Sequence, residues 1–372
     1  MNRPDLHSFA AKKKRSYHNR NLVNWDCNRN SDPDPDPDPD PDFGHDASSS
    51  TWLPALVRFA KCQHDLGYHL KIYHYRIFVS GSTGMNDNAN PRLTYSFELF
   101  PPKTQEGMTK LADNVQRLNA VAPQYFSVTY GAGGSTRERT FETVSLLRDR
   151  GIDTAPHLSC IGSTRAEIRD ILHRYRARNI RCIVALRGDP PSGMGAAGTG
   201  ELAYANELVA FIRAETGATF HIEVAAYPEV HPQAPGAQRD LEHFKQKVEA
   251  GADAAITQYF YNADAYFAFV DACRRLDIHI PIVPGVMPIT NYSRLARFSA
   301  ACGTEIPRWV CKRLEDYGDD TDSIREFGHQ VVLDLCRRLI EGGAPGIHCY
   351  TMNQAAPTLR LWRDLGLPGA GP

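Results

Sequence analysis

The chain reads as an α/β protein built as a (β/α)8 TIM barrel, and three observations predict it. From residue 92 onward, short β-branched or aromatic runs alternate with amphipathic stretches of helical period, the pattern of repeated βα units on a parallel sheet. Eight such units fit within about 280 residues, which suits a closed barrel better than an open doubly wound sheet. The polar residues that interrupt the apolar runs fall at the C-terminal ends of the strands, where barrels of this kind carry their chemistry.

The elements follow in order. The first strand, Thr94 to Leu99, carries Glu98 two residues before a double proline. A charge taken out of water costs several kcal/mol, so that carboxylate needs a partner or a task. Further strands are expected at Tyr125 to Thr129, Asp153 to Leu158, Cys182 to Leu186, His221 to Ala226, Ala255 to Tyr259, Pro281 to Pro284 and Gly346 to Tyr350. Between them lie the helical segments "ERTFETVSLLRDR", "RAEIRDILHRYRAR", "NELVAFIRAETG" and "DLEHFKQKVEAG", several closing on a glycine suited to a C-terminal cap. A longer insertion with a helix near Ser323 to Glu341 precedes the eighth strand.

The first 84 residues differ in kind. They contain KKKR at residues 12 to 15, an Asp-Pro repeat from Asp32 to Asp42, and a Tyr- and His-rich patch from Tyr68 to Tyr75. Alternating proline removes backbone donors and alternating aspartate repels itself, so an extended, solvated, disordered extension is expected. No apolar core with a small-residue cleavage site follows the basic residues, so a secretory signal is not expected. The expected division is therefore 1–84, a dispensable extension or a mis-assigned start, and 85–372, the barrel.

Composition excludes several classes. Of 372 residues, 42% are hydrophobic and 23% charged, as in an ordinary globular protein. A formal net charge of -1 gives no electrostatic case for nucleic acid or a membrane surface. The nine cysteines form no C-x-x-C pair, which favours reduced thiols over disulfides or a metal site. No apolar run reaches the length of a membrane span, and a cytoplasmic location is expected.

Each polar motif admits two readings. Glu98 is either a structural acid or a catalytic one, and Asp189 in "LRGDPP" either caps a turn beside Arg187 or acts on a ligand. His157 in "PHLSC" on an apolar strand is either a satisfied core histidine or a contact. The "GAGG" of "VTYGAGG" can cradle a phosphate through backbone N–H groups but lacks the G-x-G-x-x-G spacing. Glu229 and His231 have no third ligand at plausible spacing, so no metal is expected. Gln258 among aromatic neighbours needs partners for its amide or reads an amide on a ligand.

Taken in order, "FELFPPK", "VTYGAGGSTRERT", "PHLSC", "ALRGDPP", "AAYPEVHP", "KVEAGADAAITQYFY", "PGVMPIT" and "HCYTMN" resemble the 5,10-methylenetetrahydrofolate reductases of the bacterial type. The resemblance runs from about Arg92 to Leu367. It implies an FAD-binding barrel that reduces 5,10-methylenetetrahydrofolate to 5-methyltetrahydrofolate with NADH or NADPH in a ping-pong cycle, supplying methyl groups for methionine synthesis. Carried over residue by residue, Glu98 becomes the general acid and Asp189 the carboxylate that holds the pterin and steadies positive charge. Thr129 becomes the nicotinamide contact, and FAD contacts fall on Tyr130, Ala132, His157, Arg187, Gly188, Asp189, Ala205, Tyr227, His231, Ala234, Asp240 and Lys247. Gln258 matches the glutamine that serves both folate and nicotinamide, and Phe298 an aromatic that moves for either. A carboxylic acid in a mostly apolar pocket favours its protonated form, which suits Glu98 as proton donor to N10 of the folate.

The chain departs from the family pattern in places. His243 and Gln246 stand where the family often has Asn and a basic residue. Gln354 replaces the usual arginine after "YT-x-N", while Arg294 follows "PIT" where a glutamine is familiar, so Arg294 is expected to take over the charge contact to the folate tail. A different FAD barrel oxidoreductase, or a non-catalytic paralogue that binds folate or flavin, are the competing readings. The family commonly forms homo-oligomers, and no regulatory domain responding to adenosylmethionine is expected after Leu367. The choice of NADH or NADPH has no identifiable ribose-reading residue behind it.

Overall fold

A computed structural model describes residues 93–131, 136–188 and 200–369; the expectations for residues 1–84, for Ala132 and for Asp189 lie outside them. Along the chain run β1 (Thr94–Leu99), α1 (Gln105–Asn119), β2 (Tyr125–Val128), α2 (Arg137–Asp149), β3 (Thr154–Ser159), α3 (Arg165–Ala177) and β4 (Cys182–Leu186). Then come α4 (Ala205–Thr216), β5 (His221–Ala226), α5 (Ala237–Glu249), β6 (Ala254–Thr257), α6 (Ala263–Arg275), β7 (Ile282–Val283) and β8 (Gly285–Val286). The described chain closes with α7 (Tyr292–Cys302), α8 (Arg308–Asp316), α9 (Thr321–Glu341), β9 (Gly346–Tyr350) and α10 (Ala355–Asp364).

All strand pairs are parallel, in the order β7-β6-β5-β4-β3-β2-β1-β9-β8. The sheet is a nearly closed TIM-type barrel with helices outside. The expected seventh strand is two short pieces. Pro284 has no N–H for a ladder, so the chain pairs with β6 before it and with β9 after it, which joins the two edges of the sheet through one residue. The Pro284 carbonyl still accepts the His348 N–H at 3.0 Å. Gly285 follows because a Cβ there would lie 2.2 Å from the Thr257 carbonyl oxygen. Other strand ends move by a residue or two from expectation, and α8 was not anticipated within the insertion.

Strand alternation divides the side chains into two sets. In β1, Phe97 points toward the helices, with its ring 5.0 Å from Trp362 of α10 and 5.7 Å from Phe126. Ser96 and Glu98 point the other way. Tyr125, Ala155, Val184 and Ile256 form a separate small apolar cluster from β2, β3, β4 and β6, on the side of the sheet away from the helices. The helices are terminated as their sequences require. Thr164 and Glu167 form a capping box on α3, and Gly217 after α4 takes a φ of 58° that a side chain would resist. The seven described cysteines are all free thiols. Among the described residues, no helix is long and apolar enough to cross a membrane.

Candidate active site at the C-terminal mouth of the barrel

Glu98 is the penultimate residue of β1 and faces into the mouth, its side chain 18% exposed. Two histidines flank it. His157 of β3 brings Nε2 to 3.4 Å from Glu98 Oε2, and His348 of β9 brings Nε2 to 3.8 Å from the same oxygen. Both Nε2 atoms are buried, and neither has a hydrogen-bond partner. Burial pushes the His157 imidazole below its ordinary pKa, against the pull of Glu98, so it is neutral at physiological pH. The trio therefore places a carboxyl beside two unsatisfied ring nitrogens, which contact it without bonding to it.

The register explains how distant residues meet. Ser96 of β1 lies opposite His348 of β9, and its hydroxyl sits 2.7 Å from His348 Nδ1. That bond orients the ring so that Nε2 faces Glu98, one pleat nearer the mouth. Thr351 beyond β9 donates its hydroxyl to the Glu98 carbonyl at 2.7 Å and holds the strand ends together.

The other expected contacts lie on the loops that follow successive strands. Thr129 and Tyr130 come directly after β2, where the Thr129 N–H donates to Leu99 at 2.9 Å and the Tyr130 hydroxyl accepts from Arg137 at 2.9 Å. Arg187 and Gly188 follow β4. Gly188 has a φ of +81°, and a Cβ there would lie 1.9 Å from Ser159 Oγ, so the close approach of this turn to β3 requires glycine. Arg187 reaches across to Gln233 in the next loop at 2.5 Å. In that β5–α5 loop, the rings of Tyr227 and His231 meet edge to face at 4.5 Å, Ala234 donates to the His231 carbonyl, and Asp240 accepts the His231 N–H at 2.9 Å.

Lys247 of α5 points back at the Ala225 carbonyl, and burial brings its ammonium down to about 8, with Asp240 opposing. Ala205 opens α4. Gln258, after β6, accepts the Tyr259 N–H at 3.2 Å through its own Oε1.

One wall of the mouth is aromatic. Phe298 of α7 is 43% exposed and stacks on buried Tyr259 at 5.8 Å, and Tyr259 meets Tyr350 edge to face at 5.9 Å. Arg294 lies one helical turn before Phe298, exposed, at the start of α7. Gln354 is exposed at the N-cap of α10 and lines a cavity of about 370 Å³ with Thr290, Arg325 and Arg360. Arg294 and Gln354 thus follow the paired strands β8 and β9.

Sequence reasoning passed over His348, Ser96, Tyr259 and Tyr350. Their signal was present as alternation, since residues 348 and 350 share a face as 96 and 98 do, but only the register shows which faces meet.

Comparisons with known proteins bear on the family and the fold. A family model described as Methylenetetrahydrofolate reductase matches residues 85–366. The 5,10-methylenetetrahydrofolate reductase of Escherichia coli (strain K12) is 39% identical over 280 residues, covering 75% of this chain and 93% of that protein. The "Probable methylenetetrahydrofolate reductase (NADH)" of Oryza sativa subsp. japonica is 38% identical over 291 residues, 75% of this chain and 49% of that protein. Among solved structures, a Clostridium thermocellum protein described as binding two copies of 5-methyl-5,6,7,8-tetrahydrofolic acid superposes with a TM-score of 0.54 at 17% identity, over 73% of this chain and 95% of that one, a likeness of fold.

Proposed function

Because the chain belongs to the methylenetetrahydrofolate reductase family, oxidoreductases acting on methylenetetrahydrofolate, we propose that it makes 5-methyltetrahydrofolate at the barrel mouth with bound FAD and a nicotinamide dinucleotide. The observation that carries the reading is the Glu98 carboxyl set between two buried, unsatisfied imidazole nitrogens at the strand ends. Polar atoms left without partners in a mouth are unfavourable until a ligand supplies them, which is what a cofactor or substrate edge does.

The same feature is the test of fit for a flavin. His157 offers its ring nitrogen, and the loops after β2, β4 and β5 offer Tyr130, Arg187 and Gly188, then Tyr227, His231 and Ala234, while Thr129 would meet the nicotinamide. Ala205, Asp240 and Lys247 would hold the cofactor from α4 and α5. Bound there, a flavin supplies hydride transfer from nicotinamide to folate, two ligands that use one mouth in turn.

The chain's own part is proton chemistry and placement. Glu98 gives its proton to N10 of the folate as the bridging carbon–N10 bond breaks, and the bond pair stays on N10. The positive charge is then shared between N5 and the carbon that receives the hydride, and Glu98 is reprotonated from solvent. A neutral His157 sets no positive charge beside that carboxyl. Asp189, by its place after β4 in the sequence, is assigned to hold the pterin and offset the positive charge. Gln258 reads the amide-like edge of either ligand, and Phe298 gives its exposed face to the ring that enters. Arg294 receives the carboxylates of the benzoylglutamate tail.

The direct test is a purified preparation mixed with each substrate in turn. A yellow protein that bleaches with NADH or NADPH and recovers its colour with methylenetetrahydrofolate, yielding 5-methyltetrahydrofolate, meets the proposal. A protein that bleaches and stays bleached fails it and leaves a different FAD barrel oxidoreductase; one that stays colourless fails it and leaves a non-catalytic paralogue.

A further inference from the structure

The opposite end of the barrel holds a second constellation that the folate chemistry leaves unused. Cys182 opens β4 directly beside His221, which opens β5, and alternation puts His221 and Glu223 on the same face of their strand. One thiol, one imidazole and one carboxylate result, with a ligating atom of each within 4.8 Å of the others. His221 Nε2 stands 3.6 Å from Glu223 Oε1.

Neighbouring groups hold these side chains from behind. The Tyr125 hydroxyl donates to Glu223 Oε2 at 2.5 Å, which leaves Oε1 turned towards His221. Asp253 Oδ2 lies 3.7 Å from His221 Nδ1, and Asp253 is itself fixed by Arg213 and by the Ile222 N–H at 2.7 Å. A carboxylate behind the far nitrogen of an imidazole, and a donor behind the far oxygen of a carboxylate, are how proteins orient metal ligands. An ion-pair network alone accounts for Arg213 and Asp253 but gives no reason for a thiol.

We propose that Cys182, His221 and Glu223 form a site for a thiophilic divalent cation, Zn2+ by its donor set, at the N-terminal mouth of the barrel. One sulfur, one nitrogen and one oxygen ligand suit zinc, with water as the fourth ligand. On coordination the thiol proton leaves to solvent and the sulfur–metal bond takes its place. Four residues of strand, about 13 Å, separate Cys182 from the active-site end of β4, and Glu223 sits one pleat further in, opposite Val184, so the cation clamps β4 to β5 without touching the groups at the mouth. The sequence hid this set because its members lie on two strands 39 or more residues apart, and only the register brings them together.

The test uses chelator-stripped full-length protein titrated with Co2+ and then Zn2+. One equivalent of Co2+ with a thiolate-to-cobalt absorption band is expected, displaced by Zn2+, together with a Tm that rises with Zn2+ concentration. Cys182→Ala removes the band and the Tm rise while methylenetetrahydrofolate turnover is kept. Asp253→Asn retains the band but weakens Zn2+ binding by about 10–100-fold. No band on the wild-type chain, or an undiminished band in Cys182→Ala, overturns the site. Should that variant fail to fold, the wild-type titration and the same titration of His221→Ala decide between these outcomes.

Discussion

Replacing Glu98 with glutamine removes the acid function and little of the side chain's shape. The amide has the size of the carboxyl and can donate to one of the unsatisfied Nε2 atoms, at 3.4 Å on His157 or 3.8 Å on His348. Glu98 makes no hydrogen bond to either ring, so the variant should lose no more than about 1 kcal/mol of stability, a Tm change of roughly 2–4 °C. The loss of a positioned general acid costs about 10²–10⁴-fold in the step that needs it. At 1.36 kcal/mol per decade that is about 2.7–5.4 kcal/mol of transition-state stabilisation, several times the expected change in stability. The assay is stopped-flow absorbance of the two half-reactions measured separately. Bleaching by the nicotinamide involves no N10 and should proceed within a few-fold of wild type, whereas recolouring by methylenetetrahydrofolate should slow by the full factor. Equal slowing of both halves with an unchanged Tm would refute Glu98 as the acid and return it to a general role in holding the mouth.

Two further outcomes follow from particular residues. Arg294→Ala should raise the KM for methylenetetrahydrofolate by about tenfold or more, the worth of a charged hydrogen bond, with kcat little changed. Steady-state kinetics at varied folate reads this, and an unchanged KM would mean that Arg294 does not stand in for the arginine absent at Gln354. Lys247 gives a pH signature. Burial lowers its pKa from 10.5 to about 8, so below pH 8 the folded protein carries the full cost of a desolvated ammonium. Between pH 8 and 10.5 the unfolded chain binds a proton that the folded one has shed, and stability contributed by this group rises with pH. Relative to Lys247→Met, the flavin-free wild type should gain stability across that window in urea unfolding; parallel curves would show that the ammonium is not desolvated.

The parallel alternation of strands and helices was legible because each element's burial pattern is local. A strand buried on both faces reads as an apolar run, and a helix on the outside as a stripe. Glycine and proline punctuate where the backbone must turn, as at Gly217 and Pro284. The motifs after the strands were legible for the same reason, since "SFELFPPK" or "ALRGDPP" is contiguous in the chain and carries its chemistry within a few residues. The split of the seventh strand escaped because it depends on two different partners, β6 and β9, and no local pattern records a partner.

What tertiary structure alone decided are the contacts between strands. Glu98 was singled out as a carboxyl in an apolar run, but its two imidazole neighbours come from residues 59 and 250 positions away, brought in by the closure of the ring. The Ser96–His348 bond, 252 residues apart in sequence, depends on a register that slips or holds as a whole. Cys182 beside His221 is the same case at the other end. Periodicity settles which face a side chain takes because it reflects the geometry of a single strand. Which side chain it then meets depends on how eight neighbouring units pack into one closed ring, an energy spread over the whole sheet and written in no single segment.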